Sequence, residues 1–473
     1  MVFSSITFIF VFLPALILLY FACPHKYRNI RNMILLLFSL MFYGYSGIKY
    51  LALMLVSITV NYLGGLLSSK DRNSAYRKIA IICTVICNIG MLAWFKYTGF
   101  VVSNLNAIGM QISFPEIVLP VGISFYTFQG LSYALDVYRG DAPVERSILR
   151  VALYVSLFPQ LVAGPIVRYT TIADEIQNRL ESEEDVGSGV IRFLFGLSKK
   201  VLLANQLGQI ADAAFSTPSA ELSIAFSWLG MIAYGLQIYF DFSAYSDMAI
   251  GLGRVFGFHF LENFNYPYIA KSITDFWHRW HISLSTWFRD YLYFPLGGNR
   301  CRIRRQIVNL LIVWGLTGLW HGAAWNFLLW GLYFACLLIG ERYIWGRLLQ
   351  RMPTVLQHSY ALILVFIGWV LFRSPGLKGV LDYFSAMFTC QSGVVTGNAF
   401  IYHIIEYRWE LLVSIVAVLP VKNFLSGKLK KRDTRWALWV QSWGVAVVAL
   451  VLGGLSIVRL VSSNFNPFIY FQF

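Results

Sequence analysis

Residues 315–331 read GLTGLWHGAAWNFLLWG. They hold one histidine, His321, and lie within a 35-residue run, 306–340, that has no aspartate, glutamate, lysine or arginine. A helix that crosses a bilayer needs roughly 20 mostly apolar residues, so this run is long enough for two passes. Further charge-free runs occur at 1–25, 32–48, 50–69, 79–95, 117–135, 151–167, 222–240, 353–372 and 436–458. The chain is 58% hydrophobic and 13% charged, against about 25% charged for a soluble domain. Window counting therefore predicts an all-α polytopic membrane protein with roughly 10–13 membrane segments, short or re-entrant ones among them.

The basic residues are grouped. Lys26, Arg28 and Arg31 follow the first run, and Lys70, Arg72, Arg77 and Lys78 follow the third, whereas the loop between them has only Lys49. The positive-inside rule places the first and third loops in the cytoplasm, and the N-terminus outside. The start, MVFSSITFIFVF, lacks the basic n-region of a signal peptide, so the first run is expected to be a retained helix. The net charge of +15 reads as topology and attraction to anionic lipid. No soluble basic domain is visible to hold a nucleic acid. Most of the six cysteines sit in apolar runs and none forms a CxxC, which gives neither a disulfide framework nor a zinc site. One polar connector, 168–188, carries six acids and is expected to be a surface helix plus a loop. Breaks are expected at 373–409 and at the basic stretch 422–435. The organisation expected is one transmembrane domain over 1–473, with N-terminal helices in 1–110, a central core in 115–345 and C-terminal helices in 346–473.

Within 315–331, Gly315, Gly318, Gly322, Ala323 and Ala324 make a thin helix that neighbours can approach closely. An ionisable group in such a run is costly and calls for a functional explanation. Burial disfavours the imidazolium, so His321 is expected to be neutral and a competent general base. A histidine here can instead bond a neighbouring helix, and the pattern alone leaves both readings open. The other concentration of ionisable groups is 275–290, DFWHRWHISLSTWFRD. On a helix, Asp275 and Arg279 fall at i and i+4 and can pair, and His278 and His281 fall at i and i+3. Asp275–Arg279 and Arg289–Asp290 read as structural charge pairs, and His278 as an interface residue. The two histidines lack a third ligand for a metal. Pro295 and Gly297–Gly298 are expected to break the helix, and Arg300, Arg302, Arg304 and Arg305 to mark a cytoplasmic edge.

Together, DFWHRWHISLSTWFRDYLYFPLGGNR and GLTGLWHGAAWNFLLWG resemble the membrane-bound O-acyltransferase family, and more narrowly its bacterial alginate O-acetyltransferase subgroup. The opening MVFSS, LPVGISFYTFQGLSYALDVYRG at 119–140, FPQLVAGPIVR at 158–168 and YFDFSAYSDMAIGLG at 239–253 also resemble that subgroup, so the likeness covers nearly the whole chain. It implies a helical fold around a central tunnel. The family's histidine within an apolar helix falls on His321, and its second polar site residue on His281; His278 stands where arginine is common and receives no role. The resemblance implies that an acetyl group passes from a cytoplasmic thioester, acetyl-CoA or an acylated carrier protein, to a hydroxyl for O-acetylation of an extracytoplasmic polysaccharide. No permanently bound cofactor is implied. An SGNH hydrolase-like partner outside the bacterial cytoplasmic membrane is.

Removing the acceptor hydroxyl's proton is the main assistance such a transfer needs, and a donor must face the carbonyl oxygen. His321 is expected to be the base and His281 an orienting or oxyanion-side donor, although the sequence permits the reverse. The arginines at 300–305 suit a phosphorylated donor or a topology signal alone. Two alternatives remain: D-alanyl transfer to teichoic acid from a carrier-protein thioester, and a carbohydrate or lipid transporter. No internal repeat of the kind that marks many transporters is visible.

Overall fold

The computed structural model describes residues 1–473 except 116, 163, 391, 422–423, 425–442, 464 and 470–473. The expected basic break at 422–435 falls, apart from Phe424, outside the described residues. Every regular element among the described residues is helical, because a chain in lipid must satisfy its backbone hydrogen bonds within each segment. Among the described residues, five helices are long and apolar enough to cross a membrane by length and composition: Ile48–Leu67, Ser74–Ala107, Trp325–Arg351, Thr354–Arg373 and Val445–Ser462. The protein is a multi-pass membrane protein. The chain divides into two compact units, Met1–Phe193 with Ser246–Leu261, and Leu194–Tyr245 with Glu262–Phe473.

The first unit contains α1 (Leu13–Ala22), α2 (Arg28–Gly44), α3 (Ile48–Leu67), α4 (Ser74–Ala107), α5 (Ile123–Arg139) and α6 (Tyr169–Asn178). Lipid gives apolar helices no hydrophobic reason to associate, so small residues and polar pairs hold them together. Asn61 of α3 and Asn88 of α4 exchange two amide hydrogen bonds of 3.0 Å. A Cβ on Gly130 of α5 would come within 2.3 Å of Asn61 Nδ2, and one on Gly64 within 2.4 Å of Thr84 Oγ1. The acidic connector forms α6, which buries Tyr169, Ile172 and Ile176 on one side, and then a loop.

That loop holds an element the composition did not announce. The Glu181 side chain is fully buried among Arg28 at 2.5 Å, Arg31 at 2.8 Å and Arg179 at 3.6 Å. The Tyr20 hydroxyl donates to the same carboxylate. Arg31 also donates to the Cys23 carbonyl at 2.8 Å, and Arg179 to that of Phe256 at 2.9 Å. Burial opposes ionisation of Glu181, but the hydrogen bonds from Arg28 and Tyr20 and the charges of Arg28 and Arg179 outweigh it and hold the carboxyl at about 2. One carboxylate thus ties the start of α2 to the loop after α6.

The second unit contains α7 (Asn205–Ser216), α8 (Ile224–Val255, as far as Tyr245), α9 (Ile273–Arg279), α10 (Ile282–Phe288), α11 (Ile303–His321), α12 (Trp325–Gly340), α13 (Thr354–Arg373), α14 (Gly376–Phe388) and α15 (Val445–Ser462). The run 306–340 forms two helices, α11 and α12, joined by Gly322–Ala324. Their backbones nearly touch: a Cβ on Gly318 would lie 2.2 Å from the Phe327 carbonyl oxygen, and one on Gly331 2.2 Å from that of Trp314. Trp277, Trp280, Trp330, Trp369 and Phe372 are buried in one core. The break expected at 373–409 contains α14 and a helix at Asn398–Glu406. In α14 the buried Val380, Tyr383 and Met387 recur at i, i+3 and i+7, a helical face interrupted too little by the flanking glycines to remain a loop.

Two substitutions test this packing. Glu181→Gln leaves two buried guanidinium groups without their counter-charge and should cost about 3–5 kcal/mol by thermal unfolding in detergent. The wild-type carboxyl lies below its ordinary 4.5, so its contribution is complete above that pH and is lost as pH falls through about 2. The difference between the two proteins should shrink over that interval. Gly318→Ala forces α11 and α12 apart and should cost about 1–3 kcal/mol in the same assay.

Candidate active site

His321 is the last residue of α11, where the chain turns extended at Gly322. Its ring is boxed edge-on by Trp320 at 4.9 Å, Trp330 at 5.1 Å and Phe372 at 5.3 Å. It lines a cavity together with Asp241 and Phe242 of α8 and with Trp280, Trp330, Trp369 and Phe372. Phe468 and Ile469, from the chain beyond α15, form part of the wall. The cavity has about 20 Å³ of free space, room for about one water molecule. Anything larger than a water molecule fits there only when the walls part.

His281 is placed by a break that no glycine or proline marks. The stretch 275–290 is two short helices, α9 and α10, rather than one, and His281 stands between them with φ of +44°. Few non-glycine residues adopt this left-handed conformation, although histidine is among the more frequent. Strain of that kind, about 1–3 kcal/mol, persists only where surrounding contacts impose it. The contacts come from 263–265: Ile282 N–H donates to the Asn263 carbonyl at 3.0 Å, and Asn265 N–H to that of Arg279 at 2.9 Å. The break turns the two histidines apart. His278 is exposed, whereas His281 is 1% exposed.

Asn263 also decides the state of the His281 ring. Its Oδ1 accepts from Ser283 N–H at 3.0 Å and Ser283 Oγ–H at 2.9 Å, so this atom is the amide oxygen. His281 Nδ1 faces the same oxygen at 3.3 Å and must carry the proton. Nε2 is then a bare acceptor, buried and without a hydrogen-bond partner among the described residues. His281 lies outside the five candidate spans. Burial, followed by the charge of a protonated His321, pushes its imidazole well below the usual value, so His281 is neutral. Its ring meets Phe242 at 4.5 Å and Trp320 at 6.1 Å, and Trp320 in turn meets His321. The two histidines named from the sequence are therefore neighbours.

The arginines are not part of this grouping. Arg300, Arg302, Arg304 and Arg305 are exposed and lie at the start of α11, roughly 27 Å along the helix from His321 at 1.5 Å per residue. The charge pairs form as expected, with Arg279 Nε 2.7 Å from Asp275 and Arg289 Nε 2.7 Å from Asp290.

Three features of the site went unread in the sequence. Asp241 follows the charge-free run 222–240 and was assigned no role, and its helix, α8, continues to Val255. Trp330 was assigned no role, but it is 1% exposed, lines the cavity and keeps its indole N–H free of any hydrogen bond among the described residues. Phe468 and Ile469 carry no motif.

The sequence model of the membrane-bound O-acyltransferase family matches residues 142–381. The probable alginate O-acetylase AlgI of Azotobacter vinelandii is 38% identical over the full length of both chains. Its namesake from Pseudomonas aeruginosa is 42% identical over 82% of this chain and 75% of its own. The peptidoglycan O-acetyltransferase of Helicobacter pylori is 31% identical over 100% of this chain and 98% of its own.

Asn263→Ala removes the shared acceptor of Ser283 and His281. It should cost about 1–3 kcal/mol, read as a lower thermal midpoint in detergent.

Proposed function

We propose that this chain, which belongs to the membrane-bound O-acyltransferase family, moves an acetyl group from a cytoplasmic thioester, acetyl-CoA or an acylated carrier, to a hydroxyl, for O-acetylation of an extracytoplasmic polysaccharide. The observation that carries the reading is that His321 lines a narrow, aromatic-walled cavity and neutral His281 stands next to it across the Trp320 ring. Full-length relatives named for alginate and for peptidoglycan share one chemistry, an acetyl group placed on oxygen.

The position of each residue supports a role. His321 touches the cavity, so it takes the proton as the acceptor oxygen attacks the thioester carbonyl. When the carbon–sulfur bond breaks, the proton passes to the leaving thiolate. The bare Nε2 of His281 can accept a hydrogen bond but not donate one, so His281 orients the reacting groups rather than stabilising an oxyanion. The free Trp330 indole N–H suits the carbonyl oxygen, where negative charge develops in water-poor surroundings. The basic first and third loops support, by the positive-inside rule, a donor on the cytoplasmic side of the bacterial membrane and an outward N-terminus. An SGNH hydrolase-like partner completes delivery to the polymer.

Purified wild type and His321→Ala, given labelled acetyl-CoA and an acceptor preparation, test the reading through release of free coenzyme A. Wild type should release it, and His321→Ala should be slower by about 10²–10⁴-fold. Equal release from both would remove His321 from the mechanism. Trp330→Phe keeps the ring, loses the N–H and should lower kcat about 10²-fold with an unchanged thermal midpoint.

A further inference from the structure

A buried ion pair stands in the second unit, one partner of it in the cavity wall. Lys200 Nζ lies 2.6 Å from Asp241 Oδ1, and the two side chains are 4% and 3% exposed. Taking both charges out of water costs several kcal/mol per ion, and an apolar pair of similar volume is often as stable or more so. Stability alone does not explain the pair. Its other contacts do, because both partners hold the same piece of chain. Lys200 Nζ donates to the Pro467 carbonyl, and Ile469 N–H donates to Asp241 Oδ2 at 2.9 Å. Five residues beyond Lys200, Asn205 Nδ2 donates to the Phe465 carbonyl at 3.3 Å and to Asn466 Oδ1 at 3.2 Å.

Residues 465–468 have no regular secondary structure, so their backbone groups must find partners elsewhere. Lys200, Asn205 and Asp241 supply them. Between these anchors, Phe468 and Ile469 line the cavity that His321 lines, and Phe468 packs on Tyr245 at 4.9 Å. Pairing with Lys200 also cancels the charge of a carboxylate in that wall. Left alone, it would favour the imidazolium form of a nearby histidine and spoil it as a base.

We propose that Lys200 and Asp241 are positioning residues for acyl transfer: as a pair they clamp Phe465–Ile469 in place as a wall of the chamber, and so set the space in which the thioester carbonyl meets His321. The clamp stands on the contacts above, and only its effect on turnover rests on the function proposed for the site.

The test uses the full chain in lipid nanodiscs and compares wild type, Lys200→Arg, Asn205→Leu and the double variant Lys200→Met with Asp241→Leu, which removes both charges and strands neither. Three readouts are taken: the unfolding midpoint, hydrogen exchange of the amides at 465–469, and kcat and KM for coenzyme A release from acetyl-CoA. In the double variant, exchange at 465–469 should rise at least about 10-fold while α11 and α12 keep theirs. Its kcat should fall about 10- to 100-fold, as expected for a misplaced reacting group, and more than its KM moves. Lys200→Arg should keep slow exchange, and Asn205→Leu should raise it less than the double variant does. Wild-type exchange in a folded double variant overturns the clamp, and so does fast exchange with undiminished kcat. If the double variant does not fold, the exchange of Asn205→Leu decides: an unchanged value overturns the clamp. A wild type that releases no coenzyme A contradicts the proposed function instead, and exchange alone then decides the clamp.

Discussion

Gly318 and Gly331 meet backbone to backbone, and the candidate site is assembled around that contact. No other residue lets α11 and α12 approach this closely, since a single Cβ on either would sit 2.2 Å from a carbonyl oxygen. His321 lies one turn beyond Gly318, and Trp330 immediately precedes Gly331. The close passage therefore sets an imidazole and an indole side by side, 5.1 Å apart, at the edge of one cavity. In lipid, where apolar burial does not drive helices together, such contacts must come from small residues and satisfied polar groups. The Asn61–Asn88 pair does the same work in the first unit.

A second constraint governs the charged side chains. A buried charge must find its counter-charge or become neutral. Glu181 takes the first course with three arginines, and Lys200 and Asp241 take it with each other. His281 takes the second and stays neutral. The chemistry proposed for the chamber needs one imidazole, that of His321, to take a proton. Burial against Phe242 and Trp320 keeps His281 neutral.

Much of the fold was legible because lipid imposes simple rules on sequence. The charge-free runs marked helices, the small residues of 315–331 marked a close crossing, and the spacing of Asp275 and Arg279 marked a pair that forms at 2.7 Å. His321 was legible as the one histidine in a run without aspartate, glutamate, lysine or arginine. The break at His281 was not, since 275–290 contains neither glycine nor proline, and the break is imposed by Asn263 and Asn265, about eighteen residues away in sequence. Glu181 was read with the other acids of a surface connector, because its partners Arg28 and Arg31 lie some 150 positions earlier. The Lys200–Asp241 pair and the stretch 465–469 are joined only by the tertiary fold.

The account stands on the claim that acyl transfer takes place in the cavity between His321 and Trp330. The most direct measurement is an experimental structure of the protein with a non-reactive thioether analogue of acetyl-CoA bound. The account predicts the acetyl carbonyl inside the widened cavity, its carbon about 3–3.5 Å from the acceptor position served by His321 and its oxygen within hydrogen-bond reach of Trp330 Nε1. An acetyl group bound elsewhere, with the cavity still closed over His321, would contradict it.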